Sequence, residues 1–179
     1  MELMEGKEVF NFIKNDREKA FNNIVLEFSD RIYNLAKLYT KDEHLSQDIT
    51  QETLIKIYRY LDSFNGNSNI YTWIYRITIN TCKNSIIKEN KYRSIEDISF
   101  IKDEGYEDKI IERLQKGKLL EALGNIKKEY SSVLYLYYYD DLKIKEISEI
   151  MGKREGTIKT WLRRGKDALE KELLKYEKR

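Results

Sequence analysis

Lys153, Arg154, Lys159, Arg163, Arg164 and Lys166 crowd into residues 151–166, where Glu155 is the one acid. Cations at that density suit a phosphate backbone, because each one displaces a condensed counterion. A second set with chemistry is "FNGNSNIYTWIYRITINTCKN", Phe64 to Asn84. There Asn67, Asn69, Asn80 and Asn84 stand beside Tyr71, Trp73 and Tyr75. Amides bond exposed base edges, and neighbouring rings stack on unpaired bases. A third set is Asp48 and Glu52, one helical turn apart and away from Ile49 and Ile57. Two carboxylates so placed are either solvated surface or a general acid/base pair. No metal-ligand cluster and no nucleophile–base motif supports the second reading.

These sets need elements to carry them, and the hydrophobic period supplies helices. Ile24, Phe28, Ile32, Leu35 and Leu38 recur at threes and fours over 20–39, and Leu45, Ile49, Ile57 and Leu61 do so over 45–61. The turn-rich "SFNGNSN" (63–69) then separates a third helix at about 70–88. On it Arg76, Asn80 and Lys83 form one stripe, while Trp73, Ile74, Ile77 and Thr81 suit packing. The polar loop beside these aromatics fits a cavity for one flipped base. An amphipathic core helix with a polar loop accounts for the same residues equally well.

Between 89 and 111 the period fails, and from Glu96 to Asp108 six acids meet Lys102 alone. This reads as an acidic tether. Helical spacing returns from about 112. In "DLKIKEISEIMGKREGTIKTWLRRGKDALEKEL", Ile144, Ile147 and Ile150/Met151 give a short helix one apolar face, and Gly152 supplies a turn. A second helix from about Gly156 turns Ile158, Trp161, Leu162, Gly165 and Leu169 inward. Lys159, Thr160, Arg163, Arg164 and Lys166 turn outward, and Thr157 near the start suits a phosphate. The pair fits a helix-turn-helix whose second helix enters a major groove. The alternative is a solvated basic face on an ordinary bundle helix. The whole reads as all-α, in two small domains.

Whole-chain charge conceals this pattern. The 179 residues carry a net +2, and residues 1–90 hold 12 Lys/Arg against 13 Asp/Glu. One cysteine, Cys82, reads as buried packing, and one histidine, His44, as surface. With no Walker loop and no G-x-G-x-x-G, few parts remain for an enzyme. No metal or cofactor is expected. The N-terminus lacks an apolar leader, and "VLYLYYY" (133–139) is too short to cross a bilayer, so the cytoplasm is the expected place.

Residues 46–84, "SQDITQETLIKIYRYLDSFNGNSNIYTWIYRITINTCKN", resemble region 2 of the extracytoplasmic-function sigma factors. Residues 146–173, "EISEIMGKREGTIKTWLRRGKDALEKEL", resemble their region 4. The resemblance implies a region 2 helical bundle over 1–90, a flexible acidic linker over 91–111, and a region 4 helix-turn-helix over 112–179. It implies that Asp48, Gln51 and Glu52 dock on the β′ clamp helices of core RNA polymerase. By the same resemblance the loop 63–71, with Asn65, Asn67 and Tyr71, holds a flipped minus-10 base. Thr72, Tyr75, Arg76, Asn80 and Lys83 then read that element, with Lys56 and Phe64 flanking the pocket. Arg154, Thr157, Lys159, Thr160, Arg163, Arg164 and Lys166 would meet minus-35 duplex.

Further implied partners are the β flap, nascent RNA near the tether, and an inhibitory anti-sigma protein, often membrane-anchored. Two departures stand out. Lys143 replaces the usual Ser or Thr helix cap, and Trp161 replaces a frequent Arg. A conventional helix-turn-helix regulator with an effector domain is the rival reading. It would bind duplex without polymerase and would not need Asp48, Gln51 or Glu52.

Overall fold

The computed structural model describes residues 6–93 and 119–177, and every regular element among them is helical. Four helices make the first half: α1 (Gly6–Asn15), α2 (Arg17–Thr40), α3 (Glu43–Tyr60) and α4 (Ile70–Arg93). Aspartates start two of them. Asp16 accepts from Lys19 N at 3.0 Å, and Asp42 from Leu45 N at 2.9 Å, each satisfying an amide that the helix cannot. Helix α2 ends at Lys41, whose φ of 57° lets its N–H bond the Lys37 carbonyl. Asn69 accepts from Tyr71 N at 3.1 Å and so opens α4.

The inner faces follow the helical period. Ala20, Ile24, Phe28, Ile32, Leu35, Ala36 and Tyr39 are buried on α2, and Ser46, Ile49, Thr53 and Ile57 on α3. Ile70, Ile74, Tyr75, Ile79 and Cys82 complete this core from α4. Thr78 and Thr81 are buried too, each donating to the carbonyl four residues earlier. Cys82 is buried as expected, and burial pushes its thiol up to about 12.

Residues 119–124 are helical and lead into α5 (Lys128–Tyr138), α6 (Ile144–Met151) and α7 (Glu155–Glu177). The tyrosine-rich run 135–138 is thus helix. The turn joining α6 to α7 sits at Gly152, with φ 64°, and its N–H bonds the Ser148 carbonyl. Helix α7 lies close on α5: a Cβ on Gly165 would stand 3.1 Å from Leu134 Cδ1. Lys143 gives α6 no side-chain cap. Glu146 Oε2 compensates by accepting from Lys143 N at 2.9 Å.

Helices extend past the sequence-derived bounds at both ends of the first half. Helix α1 was not expected at all, and α4 runs three residues beyond the boundary at 90. Beyond residue 93 the acidic tether lies outside the described residues. The two halves do not stand apart. Helix α4 packs on α6 and α2 on α5, so Tyr75 and Phe28 share one apolar core with Tyr135, Leu136 and Ile147.

Candidate nucleic-acid interface

The acidic face of α3 is outward. Asp48 and Gln51 are exposed, and Glu52 is half-exposed and paired with Lys56 at 2.7 Å. Lys56 also donates to Thr81 Oγ1 at 3.2 Å, tying α3 to α4. A residue expected on polymerase and one expected on DNA therefore neutralise each other. Such a half-exposed i,i+4 pair stabilises by only about 0.3–0.5 kcal/mol, so either partner is easily drawn away.

The Asn-aromatic stretch divides by helical face. Arg76, Asn80 and Lys83 are exposed on one stripe of α4. Asn65 and Asn67 are exposed in the loop, where Asn65 Oδ1 accepts from Asn67 N at 3.1 Å. Three expected contacts are corrected. Phe64 is buried, its ring centroid 5.7 Å from that of Trp73, so it anchors the loop instead of flanking a pocket. Thr72 and Tyr75 are buried as well, because they share the inner face of α4 with Ile79 and Cys82.

Tyr71 is half-buried and already engaged. Its hydroxyl donates to the Glu27 carboxylate, and its ring lies edge-on to Phe28 at 4.8 Å. Burial, aided by Glu27, holds its phenol up at about 12.

The basic set on α7 and just before it meets water. Arg154, Lys159, Arg163, Arg164 and Lys166 are exposed, with Thr157 and Thr160 half-exposed beside them. Thr160 donates to the Gly156 carbonyl at 2.9 Å, which occupies its hydrogen while leaving acceptor lone pairs. Lys166 sits apart. Its ammonium lies 5.1 Å from the Tyr138 ring, and the Tyr138 hydroxyl raises its pKa.

Two features escaped the sequence. First, a crevice of about 690 Å³ opens between the halves. Ile86, Ile87, Tyr130, Met151 and Trp161 give it apolar walls, and Lys83, Lys127, Lys128 and Lys153 also line it. Second, a polar seam crosses the same divide. Arg31 Nη1 bonds Asp140 Oδ1 at 3.0 Å, with the Asp140 side chain wholly buried. Asn69 Nδ2 donates to Glu146 Oε1 at 3.5 Å. In the sequence Asp140 reads only as a loop acid, since its partner lies 109 residues away.

Comparison with known proteins covers both halves. The sigma-70 region 2 family matches residues 24–92, and the sigma-70 region 4 family matches residues 116–169. The ECF RNA polymerase sigma factor SigW of Bacillus subtilis is 31% identical, over 97% of this chain and 98% of the relative. The ECF RNA polymerase sigma-E factor of Escherichia coli is 30% identical, over 88% of each.

Among solved structures, the sigma factor RpoE in complex with the anti-sigma factor NepR from Bartonella quintana superposes with a TM-score of 0.75. It is 22% identical, over 87% of this chain and 97% of that one. CnrH in complex with the cytosolic domain of CnrY gives 0.69 at 17% identity, over 95% and 97%. Both likenesses concern the fold.

Proposed function

The chain belongs to the ECF RNA polymerase sigma factors, and on that premise we propose that it turns core RNA polymerase into a promoter-specific holoenzyme without chemistry of its own. The observation carrying this is the exposed basic row of α7 behind the Gly152 turn. Arg163 and Arg164 present planar donor forks of the kind that pair with guanine in a major groove. Lys159, Arg154 and Lys166 add phosphate contacts, which fix register without reading sequence.

Residues 1–90, extended to the end of α4, form the unit for melted minus-10 DNA. Residues 112–179 form the unit for minus-35 duplex, and the acidic segment between them is the linker. Arg76, Asn80 and Lys83 reach the melted strand, with Asn65 and Asn67 at the captured base. Asp48, Gln51 and Glu52 dock on the β′ clamp helices, and part of the second unit on the β flap. Two weak readers on one chain add their binding energies through effective concentration.

An anti-sigma protein is the proposed inhibitor, and the lysine-lined apolar crevice suits an acidic amphipathic helix from it. Among the described residues no helix is long and apolar enough to cross a membrane.

Run-off transcription with core polymerase over a promoter library tests the reading. Wild type should direct initiation at discrete start sites. Glu52→Lys should lose capture of core polymerase. A chain that binds duplex equally well but never initiates is the conventional regulator instead.

A further inference from the structure

The loop that carries Asn65 and Asn67 is fastened at both ends. Phe64 N bonds the Leu61 carbonyl at 3.1 Å, and the Phe64 ring is buried against Trp73. Asn69 opens α4. Between these anchors, residues 65–68 bury no side chain that could hold them. Their backbone rests instead on the first turn of α1.

Two glycines meet at that crossing. A Cβ on Gly6 would stand 2.7 Å from the Gly66 carbonyl oxygen and nearer still to that of Ser68. A Cβ on Gly66, whose φ is 72°, would stand 2.9 Å from the Gly6 carbonyl oxygen. The obstructing atoms are backbone on both sides, so no side-chain rotation clears them. Any other residue at position 6 must push the loop or the helix aside.

The helix is the firmer of the two. Val9 and Ile13 are buried on it, and Phe10 and Phe12 pack on the same core. It also lies along the 3-10 turn Leu61–Ser63, which leads into the loop. Just past α1, Arg17 donates from Nη2 to the Tyr58 carbonyl at 2.6 Å and from Nε to Asp62 Oδ2 at 3.1 Å. Its guanidinium lies 4.1 Å from the centroid of the Tyr58 ring. One end of α1 therefore touches the loop, and the other is tied to the chain that enters it.

We propose that α1 braces the base-capture loop: the Gly6 crossing sets where Asn65 and Asn67 hold their amides, and so which minus-10 base is accepted. Hydrogen bonds to a base edge weaken steeply with misalignment, so a small displacement of the loop suffices to change the choice. Gly6 is thus a positioning residue, with Arg17 fixing the far end. The inference rests on the promoter reading above and adds the part of the chain that tunes its base preference.

Gly6→Ala in the full chain tests this. Helix propensity alone favours alanine, so a loss cannot come from a weaker α1. Gly124→Ala is the control, because a Cβ there meets nothing within 4 Å. Run-off transcription by the holoenzyme reads two promoter libraries, one varied at minus-10 and one at minus-35. Gly6→Ala should flatten the minus-10 preference severalfold while minus-35 preference and capture of core polymerase stay at the wild-type level. Gly124→Ala should change none of the three. Amide hydrogen exchange on the free chain should quicken over residues 61–69 in Gly6→Ala alone.

If circular dichroism shows that Gly6→Ala loses helix, Arg17→Gln takes its place, since it loosens the far end without adding an atom at the crossing. Unchanged exchange over 61–69 would overturn the brace. Faster exchange with an unchanged minus-10 preference would overturn its part in base choice, as would an equal loss at minus-10 and minus-35. A wild-type chain that initiates at no promoter would refute the promoter reading and this inference with it, whereas wild-type initiation with an unaltered Gly6→Ala sinks the inference alone.

Discussion

Helix α7 and helix α4 are both long amphipathic helices behind a turn with a glycine at positive φ, yet one presents its set of polar groups to water and the other withdraws part of it. The difference lies in the side chains. Ammonium and guanidinium groups are too costly to bury unpaired, so a row of them announces an outer face. Tyrosine, threonine and phenylalanine carry no such instruction. Tyr75 and Thr72 were as acceptable beside melted DNA as in a core, and the fold put them in the core. Charge locates an outer face from sequence, whereas aromatic content leaves the face open.

The largest effect that can break this contrast comes from the shared core. Phe28 is buried and touches both Tyr71 and Tyr75. Phe28→Ala should cost about 3–5 kcal/mol of folding stability. Chemical denaturation monitored by circular dichroism measures it. A small loss would mean that the α4 face is loosely held.

Next comes pH. Asp140 titrates at about 6 against an ordinary 3.8, chiefly because burial disfavours its charge, while Tyr75 and Arg31 pull the other way. The folded state therefore holds the proton more tightly than the unfolded one. Its contribution to folding stability is fully present below the ordinary value and is lost as pH rises through about 6. The swing is up to about 3 kcal/mol. Chemical denaturation at pH 5 and pH 8 should show the greater stability at the acid end, and Asp140→Asn should flatten that dependence.

On the open face, Arg163→Ala should cost about 1–3 kcal/mol in promoter affinity and relax minus-35 discrimination if its guanidinium reads a base. Competition binding with single-base variants of the duplex checks both. The smallest effect belongs to Lys159→Gln. A phosphate-contacting lysine should weaken binding alike on all sequences and lower the salt slope by about one. Titration over a range of salt concentrations separates it from Arg163→Ala, and the pair sharpens the division between register and readout on α7.

Much of the architecture was legible. The period of α2 and α3, the Gly152 turn and the inward set of α7 all followed from hydrophobic spacing, which needs no long-range information. Helix α1 was missed, although Val9 and Ile13 bury at helical spacing within it, because so short a stretch gives few repeats of the period. Lys143 was a weak cap, as its residue type implied, but Glu146 three residues on supplied the missing acceptor. Of the expected strand-reading set, Arg76, Asn80, Lys83, Asn65 and Asn67 are outward, while Phe64, Thr72 and Tyr75 are not. The outward five are charged or amide side chains, whose hydration keeps them at the surface.

The sequence by itself determined the helices, the family, and which face of α7 carries charge, since each depends on neighbours within a few turns or on motif residues in order. Only the tertiary structure decided that the two halves share a core, that Lys56 reaches Thr81 across to α4, and that Arg31 and Asp140 meet across the seam. An ion pair spanning 109 residues leaves no local trace, because its energy exists only after burial has removed the water that would otherwise screen it.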